Sequence, residues 1–457
     1  MNEQNKRMLQ GPLLSGILLY TIPIILTSVL QLLFNAADLV VVGRFCGSIS
    51  LAAVGATGSI TTLIVNLFIG FSVGVGVNVA HAIGAKMQET VHRVVHTAIP
   101  TALVCGIVLT VIGVSCAAPM LRLMGTPENV LPLSTVYMRY YFCGMTFNML
   151  YNFAASILRA AGDTRSPLIY LTLAGIINVI LNLIFVLVFD MNVAGVALAT
   201  VISQAFSAVF LLRTLCRRTD ACRLVFSKIR FHRSELIRIV RIGLPAGIQG
   251  SLFSISNVLV QSSINSFGQV VMSGNAAAQN IEGFVYTTMN AFYQTTVNFT
   301  GQNVGARQFR RVLKIIGVCL GCQIVIGGAA CFLACTFSSS LLSIYITDSA
   351  EAVSYGMLRL SIVCSTYVLC GIMEVSTGAL RGMGASFAPM VISILGVCGI
   401  RIGWIMTVFQ LPQFHTPNCL YLSYPISWAV TFLIQISVFL HLFKKQTGSL
   451  LGKQQTA

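Results

Sequence analysis

The sequence predicts an all-α polytopic membrane protein: twelve transmembrane helices in two six-helix lobes related by a parallel internal repeat. Three observations carry that expectation: a large excess of apolar over charged residues, a succession of apolar runs long enough to cross a bilayer, and a self-match between the two halves of the chain. Of 457 residues, 56% are hydrophobic and 9% charged, against about 25% charged in soluble domains. At roughly 38 residues for each ~20-residue crossing and its connection, the chain accommodates about twelve crossings.

The elements follow in order. Lys6 and Arg7 precede a first apolar run that continues to Val42 without a small-residue cleavage site, so it reads as an uncleaved span rather than a signal peptide. Apolar runs fall near 13–42, 51–80, 94–120, 131–158, 166–189 and 193–212, and then near 238–267, 274–304, 312–338, 352–378, 386–410 and 421–443. They lack the two-residue alternation of barrel strands and are too long for them, so their backbone hydrogen bonds must close within helices. Most of the fourteen cysteines, such as Cys105, Cys331 and Cys398, lie inside these runs as small hydrophobes. Cys319 and Cys322 form a CxxC with no second pair or nearby His, so neither a zinc site nor any other cofactor is expected.

The 28 Lys+Arg against 12 Asp+Glu give +16, which in a soluble chain would suggest nucleic acid. Their placement excludes that partner. Both termini and the even-numbered connections hold 23 of the 28 basic residues, nine of them between Arg213 and Arg241; the opposite side holds only Arg44 and Arg122. This asymmetry orients a multi-pass protein of the plasma (inner) membrane with both termini cytoplasmic.

The long basic connection divides the chain into an N-lobe (1–212), a linker (213–241) and a C-lobe (242–457). At a shift of 222, Pro23 matches Pro245, Asn35 matches Asn257, Arg159 matches Arg381, Gly162 matches Gly384 and Pro167 matches Pro389. At 221, Gly84-Ala85-Lys86 matches Gly305-Ala306-Arg307. Six spans per half make the second half enter the membrane in the same direction as the first, a parallel repeat of a kind that encloses a site reached alternately from each side.

An ionisable side chain inside a span costs about 2.5–3.5 kcal/mol or more, which makes each a functional candidate. Asp38, Glu282, Glu374 and Arg401 are the strong ones. The repeat partner of Asp38 is Val260, so Asp38 serves something that only the first lobe does. Asn178 and Asn182 share a face one turn apart; Asn182 and Thr200 each lie about eight residues inside the outer end of their spans, roughly 12 Å deep, a depth Asp38 can reach. A carboxylate with amide and hydroxyl oxygens suits Na⁺ or an exchangeable proton; bridging between helices is the alternative use of such amides. Arg401 is expected either to pair with Glu374 or Glu282 or to face a substrate cavity. Arg139 and Arg359, near span ends, are expected to snorkel, and His92 and His96 to form an ordinary juxtamembrane face. Pro23 would kink the first helix as a hinge. No paired catalytic groups are evident, so no enzyme is expected.

Several stretches resemble the multidrug and toxic compound extrusion (MATE) family. They are Asn35-Ala-Ala-Asp38 leading into Val42-Gly43, Leu51-Ala-Ala-Val-Gly55, Leu158-Arg-Ala-Ala-Gly-Asp-Thr-Arg-Ser-Pro167 and Gly195-Val-Ala-Leu-Ala-Thr200. Second-lobe counterparts are Gly301-Gln-Asn-Val-Gly-Ala306 and Leu380-Arg-Gly-Met-Gly384. The resemblance covers essentially the whole chain. It implies a secondary antiporter that exports organic cations or amphipathic drugs in exchange for protons or sodium ions; a monomer is expected. Residue by residue, it implies cation coupling at Asp38, Asn178 and Thr200, with an amide, Asn182, where the family often has an acid. It further implies roles for Tyr137 and Asn152, about 22 Å apart along one helix. Relatives with a second-lobe site use acids on the seventh and tenth helices; here the seventh has none, and Glu374 is displaced, with Cys370 nearer the expected place. A flippase for a lipid-linked or amphipathic metabolite is the alternative reading.

Overall fold

The computed structural model describes residues 3–347 and 349–455, with side chains from 7 to 347 and 349 to 447; the side chains of Lys6 and Lys453, counted above among the basic residues, lie outside that set. Among the described residues a short helix, Glu3–Gln10, leads into twelve helical rods, with another short helix, Ser338–Tyr345, between the ninth and the tenth. These are α1 (Leu13–Cys46), α2 (Ser48–Gly84), α3 (Gln88–Leu123), α4 (Leu131–Cys143 and Met145–Ala160), α5 (Arg165–Val188) and α6 (Asn192–Arg217). Then come α7 (Arg233–Asn265), α8 (Gln269–Gly305), α9 (Phe309–Thr336), α10 (Ala350–Cys364 and Tyr367–Gly382), α11 (Phe387–Gln410) and α12 (Pro417–Thr447).

Among the described residues, nine of these are long and apolar enough to cross a membrane unaided, and α10, bent by 42° at its break, makes a tenth. The other two depart for physical reasons. In α4 the break at Gly144 leaves segments of 13 and 16 residues, each short of a bilayer. In α8 the 37-residue helix is long enough but buries Asn275, Glu282, Asn298, Gln302, Asn303 and five threonines. Helices of this kind keep their backbone groups satisfied and turn their polar side chains toward protein rather than lipid.

Two compact units emerge. One takes in Ile22–Ser251 with the leading segment that ends at Gly11; the other takes Pro12–Thr21 with everything from Leu252 onward. The repeat divides the chain near 212 and 242, whereas the spatial division falls inside α1 and α7, and the basic linker lies with the first unit. The boundary in α1 is one residue before Pro23. There the missing N–H removes one helical hydrogen bond, and the Thr27 hydroxyl donates to the Pro23 carbonyl at 2.6 Å.

The repeat recurs in the backbone. Left-handed φ values occur at Gly47 and Gly268, at Lys86 and Arg307 (58° each), and at Gly162 and Gly384. At the end of α2 the amide of Met87 reaches back to the Ala82 carbonyl, and at the end of α8 Gln308 reaches Asn303 in the same way. Both are Schellman closures, which require a left-handed residue just past the helix.

Within the first unit, the α1 end, α2, α5 and α6 meet on Val41, Val42, Val54, Val186, Val193 and Val196, with Tyr137 packed against them. Phe34 of α1 lies over Gly175 of α5, where an added Cβ would come within 1.8 Å of the ring. That absent side chain lets α1 approach α5 closely enough for the next turns to touch. The linker is fastened to the start of α3: Val225 N–H donates to His96 Nε2 at 3.0 Å, and His232 N–H donates to the Thr97 hydroxyl at 3.2 Å.

Candidate functional site: an acid, two amides and a hydroxyl on α1, α5 and α6

Asp38 is about two turns from the end of α1, which closes in a π-turn over Val42–Cys46; α5 likewise ends in a π-turn, Ile184–Val188. Such wide turns recur at functional sites. Asn182 Nδ2 donates to Asp38 Oδ1 at 2.5 Å and lies 3.3 Å from Asn178 Oδ1. Asn178 Nδ2 lies 3.3 Å from the Thr200 hydroxyl, which donates to the Val196 carbonyl at 3.0 Å. Asn178 and Asn182 are buried. The i,i+4 spacing on α5 and the closeness of α1 together turn separate polar residues into one continuous hydrogen-bonded network, in which Asn182 donates to the carboxylate and Asn178 donates to Thr200.

The acceptor side is incomplete. Asn182 Oδ1 is buried without a hydrogen-bond partner, a state that costs about 1–3 kcal/mol. With the Asp38 carboxylate, Asn178 Oδ1 and the Thr200 hydroxyl, it supplies hard oxygen donors of the kind that take Na⁺ as cargo, and the single carboxylate equally suits a proton. Among the described residues no group of three or more His, Cys, Asp or Glu forms a metal site.

The structure places the other sequence candidates as follows. Tyr137 stacks on Tyr141 at 6.1 Å, and both lie in the electrostatic field of Asp38. Tyr141 escaped the sequence reading, although its i+4 spacing from Tyr137 was a signal. Asn152 bonds instead to Asn148, through the carbonyl at 2.9 Å and the side chain at 3.0 Å; helical rise keeps it from the Asp38 end of α4.

In the second unit the expected pairing of Arg401 with a glutamate is corrected. Glu282 pairs with Arg359, whose Nε and Nη2 donate to the two carboxylate oxygens at 2.9 and 2.8 Å while Nη1 donates to Asn275 Oδ1 at 2.7 Å. Arg359 does not snorkel; it is 2% exposed, because a bidentate carboxylate inside the fold offsets its desolvation better than a long reach to water. Arg401 donates through Nε to Ser427 at 3.1 Å and lies over the rings of Tyr424 (4.1 Å) and Trp428 (5.5 Å). Glu374, also buried, neighbours Tyr286 and Arg381, and Arg381 donates to the Tyr293 hydroxyl.

Two repeated helical lobes, buried ionisable groups within apolar spans, and an acid–amide site confined to one lobe define a multi-pass membrane transporter. The MatE family matches residues 23–184 and again 245–405, so the chain belongs to the MATE family of efflux transporters. It is 29% identical over 439 residues to the probable multidrug resistance protein YoeA of Bacillus subtilis, covering 94% of each chain. It is 21% identical over 392 residues to the multidrug export protein MepA of Staphylococcus saprophyticus, covering 86% of each. Its fold matches a MOP superfamily transporter from Pyrococcus furiosus with a TM-score of 0.90 at 20% identity, over 96% of this chain and 97% of that one.

Proposed function

We propose that this protein is a plasma-membrane antiporter, with both termini cytoplasmic, that exports amphipathic small molecules, organic cations foremost, in exchange for a cation that neutralises Asp38. The contact between Asp38 and Asn182 carries the reading: a carboxylate in a span, accepting from a buried amide, at a position where the second lobe has Val260 in its apolar core. The names of the relatives, multidrug resistance and multidrug export, support the class of cargo.

Coupling requires that the ion and the exported compound bind two conformations with different affinity. A proton or Na⁺ arriving at Asp38 removes its charge and its demand for the Asn182 donor. Reorientation of the amide then brings the unpartnered Oδ1 toward the incoming cation. One monovalent ion exchanged for one organic cation moves no net charge, so a proton-coupled cycle draws about 1.4 kcal/mol per pH unit. A neutral substrate would add about 2.3 kcal/mol per 100 mV.

The test is export of a fluorescent organic cation from proteoliposomes under a pH gradient or a sodium gradient imposed separately, with native protein and Asp38→Asn. One gradient should drive export by the native protein, and the substitution should abolish it. Undiminished gradient-driven export by Asp38→Asn would sink the proposal.

A further inference from the structure

Arg359 and Arg401 lie over one aromatic side chain: the Arg359 guanidinium is 5.4 Å and that of Arg401 4.1 Å from the Tyr424 ring centre. Of the two charges that of Arg359 is met: the Glu282 carboxylate is engaged at both oxygens by Arg359. Among the described residues no carboxylate lies within ion-pair distance of Arg401, and of its nitrogens only Nε makes a hydrogen bond, to Ser427. Arg401 is 5% exposed and inside a span, so a whole guanidinium charge stands without a counter-ion in a place where charges are rare unless paired or functional. Cation–π contact with Tyr424 and Trp428 steadies the flat face of the group, but it leaves the donor edge, Nη1 and Nη2, unused. Tyr367 meets Trp428 edge-on at 5.1 Å and adds a third aromatic wall.

We infer that Arg401 is the counter-ion for an acidic group on amphipathic aromatic compounds, so that the second lobe binds aromatic carboxylates with Tyr367, Tyr424 and Trp428 against the ring. The planar fork fits a carboxylate bidentately, which a lysine would not. The substrate range therefore extends past simple cations to zwitterions and aromatic acids. This goes beyond the coupling reading above and uses none of its residues.

The chain has two tryptophans, Trp404 and Trp428, so in full-length Trp404→Phe the indole of Trp428 reports on the site alone. The probes are 4-nitrobenzoate and 4-nitrobenzamide, which share ring and quenching group and differ in charge. Saturable quenching by the benzoate is expected at concentrations at least tenfold below those needed for the amide. Arg401→Gln should erase that difference while leaving quenching by the amide in place. Equal quenching by the two probes with Arg401 intact, or an anion preference that survives Arg401→Gln, overturns the inference. The first comparison needs no change at Arg401, so it decides even where that variant fails to fold. The same titration on Asp38→Asn separates the two readings: loss of gradient-driven export with the anion preference retained removes nothing from the Arg401 site, and the converse leaves coupling at Asp38 untouched.

Discussion

Asn182 and Asp38 meet at 2.5 Å in the first lobe, and the repeat puts Trp404 and Val260 in their places in the second. The duplicated scaffold thus carries an acid–amide contact in one copy, whereas in the other Val260 is buried in the core and the Trp404 indole donates to the Cys419 carbonyl.

Asn182→Asp should turn the site toward a metal cation. Two carboxylates at that separation cannot both stay charged without a cation or proton between them. Sodium, compared with choline as the chloride, should stabilise the variant against heat with roughly tenfold higher apparent affinity than it does the native protein, about 1.4 kcal/mol. Identical sodium dependence of the two melting curves would rule this out.

Gly175→Ala should push α1 away from α5, because the added carbon meets the Phe34 ring at 1.8 Å. Overpacking of this kind costs about 1–3 kcal/mol, read as a lower Tm in detergent. Combining it with Phe34→Leu should recover most of the loss; a double variant no better than the single would place the strain elsewhere.

The buried pair in the second unit should respond asymmetrically. Glu282→Gln or Arg359→Met alone leaves one buried charge uncompensated, a loss of about 3–5 kcal/mol. The double variant should melt closer to native than either single one. Additive losses would show that the two side chains do not act as a pair.

Much of this architecture was legible in the sequence because its causes are local or periodic. Apolar runs of bilayer length, the basic asymmetry and a register fixed by Pro23 and Pro245 need no tertiary information. Asn178 and Asn182 were legible together because four residues make one helical turn. Arg359 was not: its partner Glu282 is 77 positions away, and proximity to a span end suggested water as the cheaper solution. The break at Gly144 and the polarity of α8 hid for a related reason, since both depend on neighbouring helices to satisfy groups that a lone span would expose to lipid.

Acid should loosen the linker. Burial, then the charges of Arg230 and Arg93, hold His232 below its ordinary value, so the folded state favours the neutral ring. Its contribution is complete above about pH 6.5 and fades as pH falls through the lowered folded value. Hydrogen exchange at 225–232, corrected for intrinsic rates, should quicken between about pH 7.5 and about pH 5.5. His232→Gln should remove the step, and a step of the same size in that variant would assign it to another group.

Lys86 and Arg307 hold the same left-handed turn in the two halves, at about 1–2 kcal/mol each relative to a relaxed backbone. Glycine would relieve it, and glycine does occupy the other two duplicated turns, at 47 and 268 and at 162 and 384. Both halves instead place a cation there, at the matched end of the second and the eighth helix. The two halves thus share a positive charge as well as a turn, held where a relaxed backbone would take glycine.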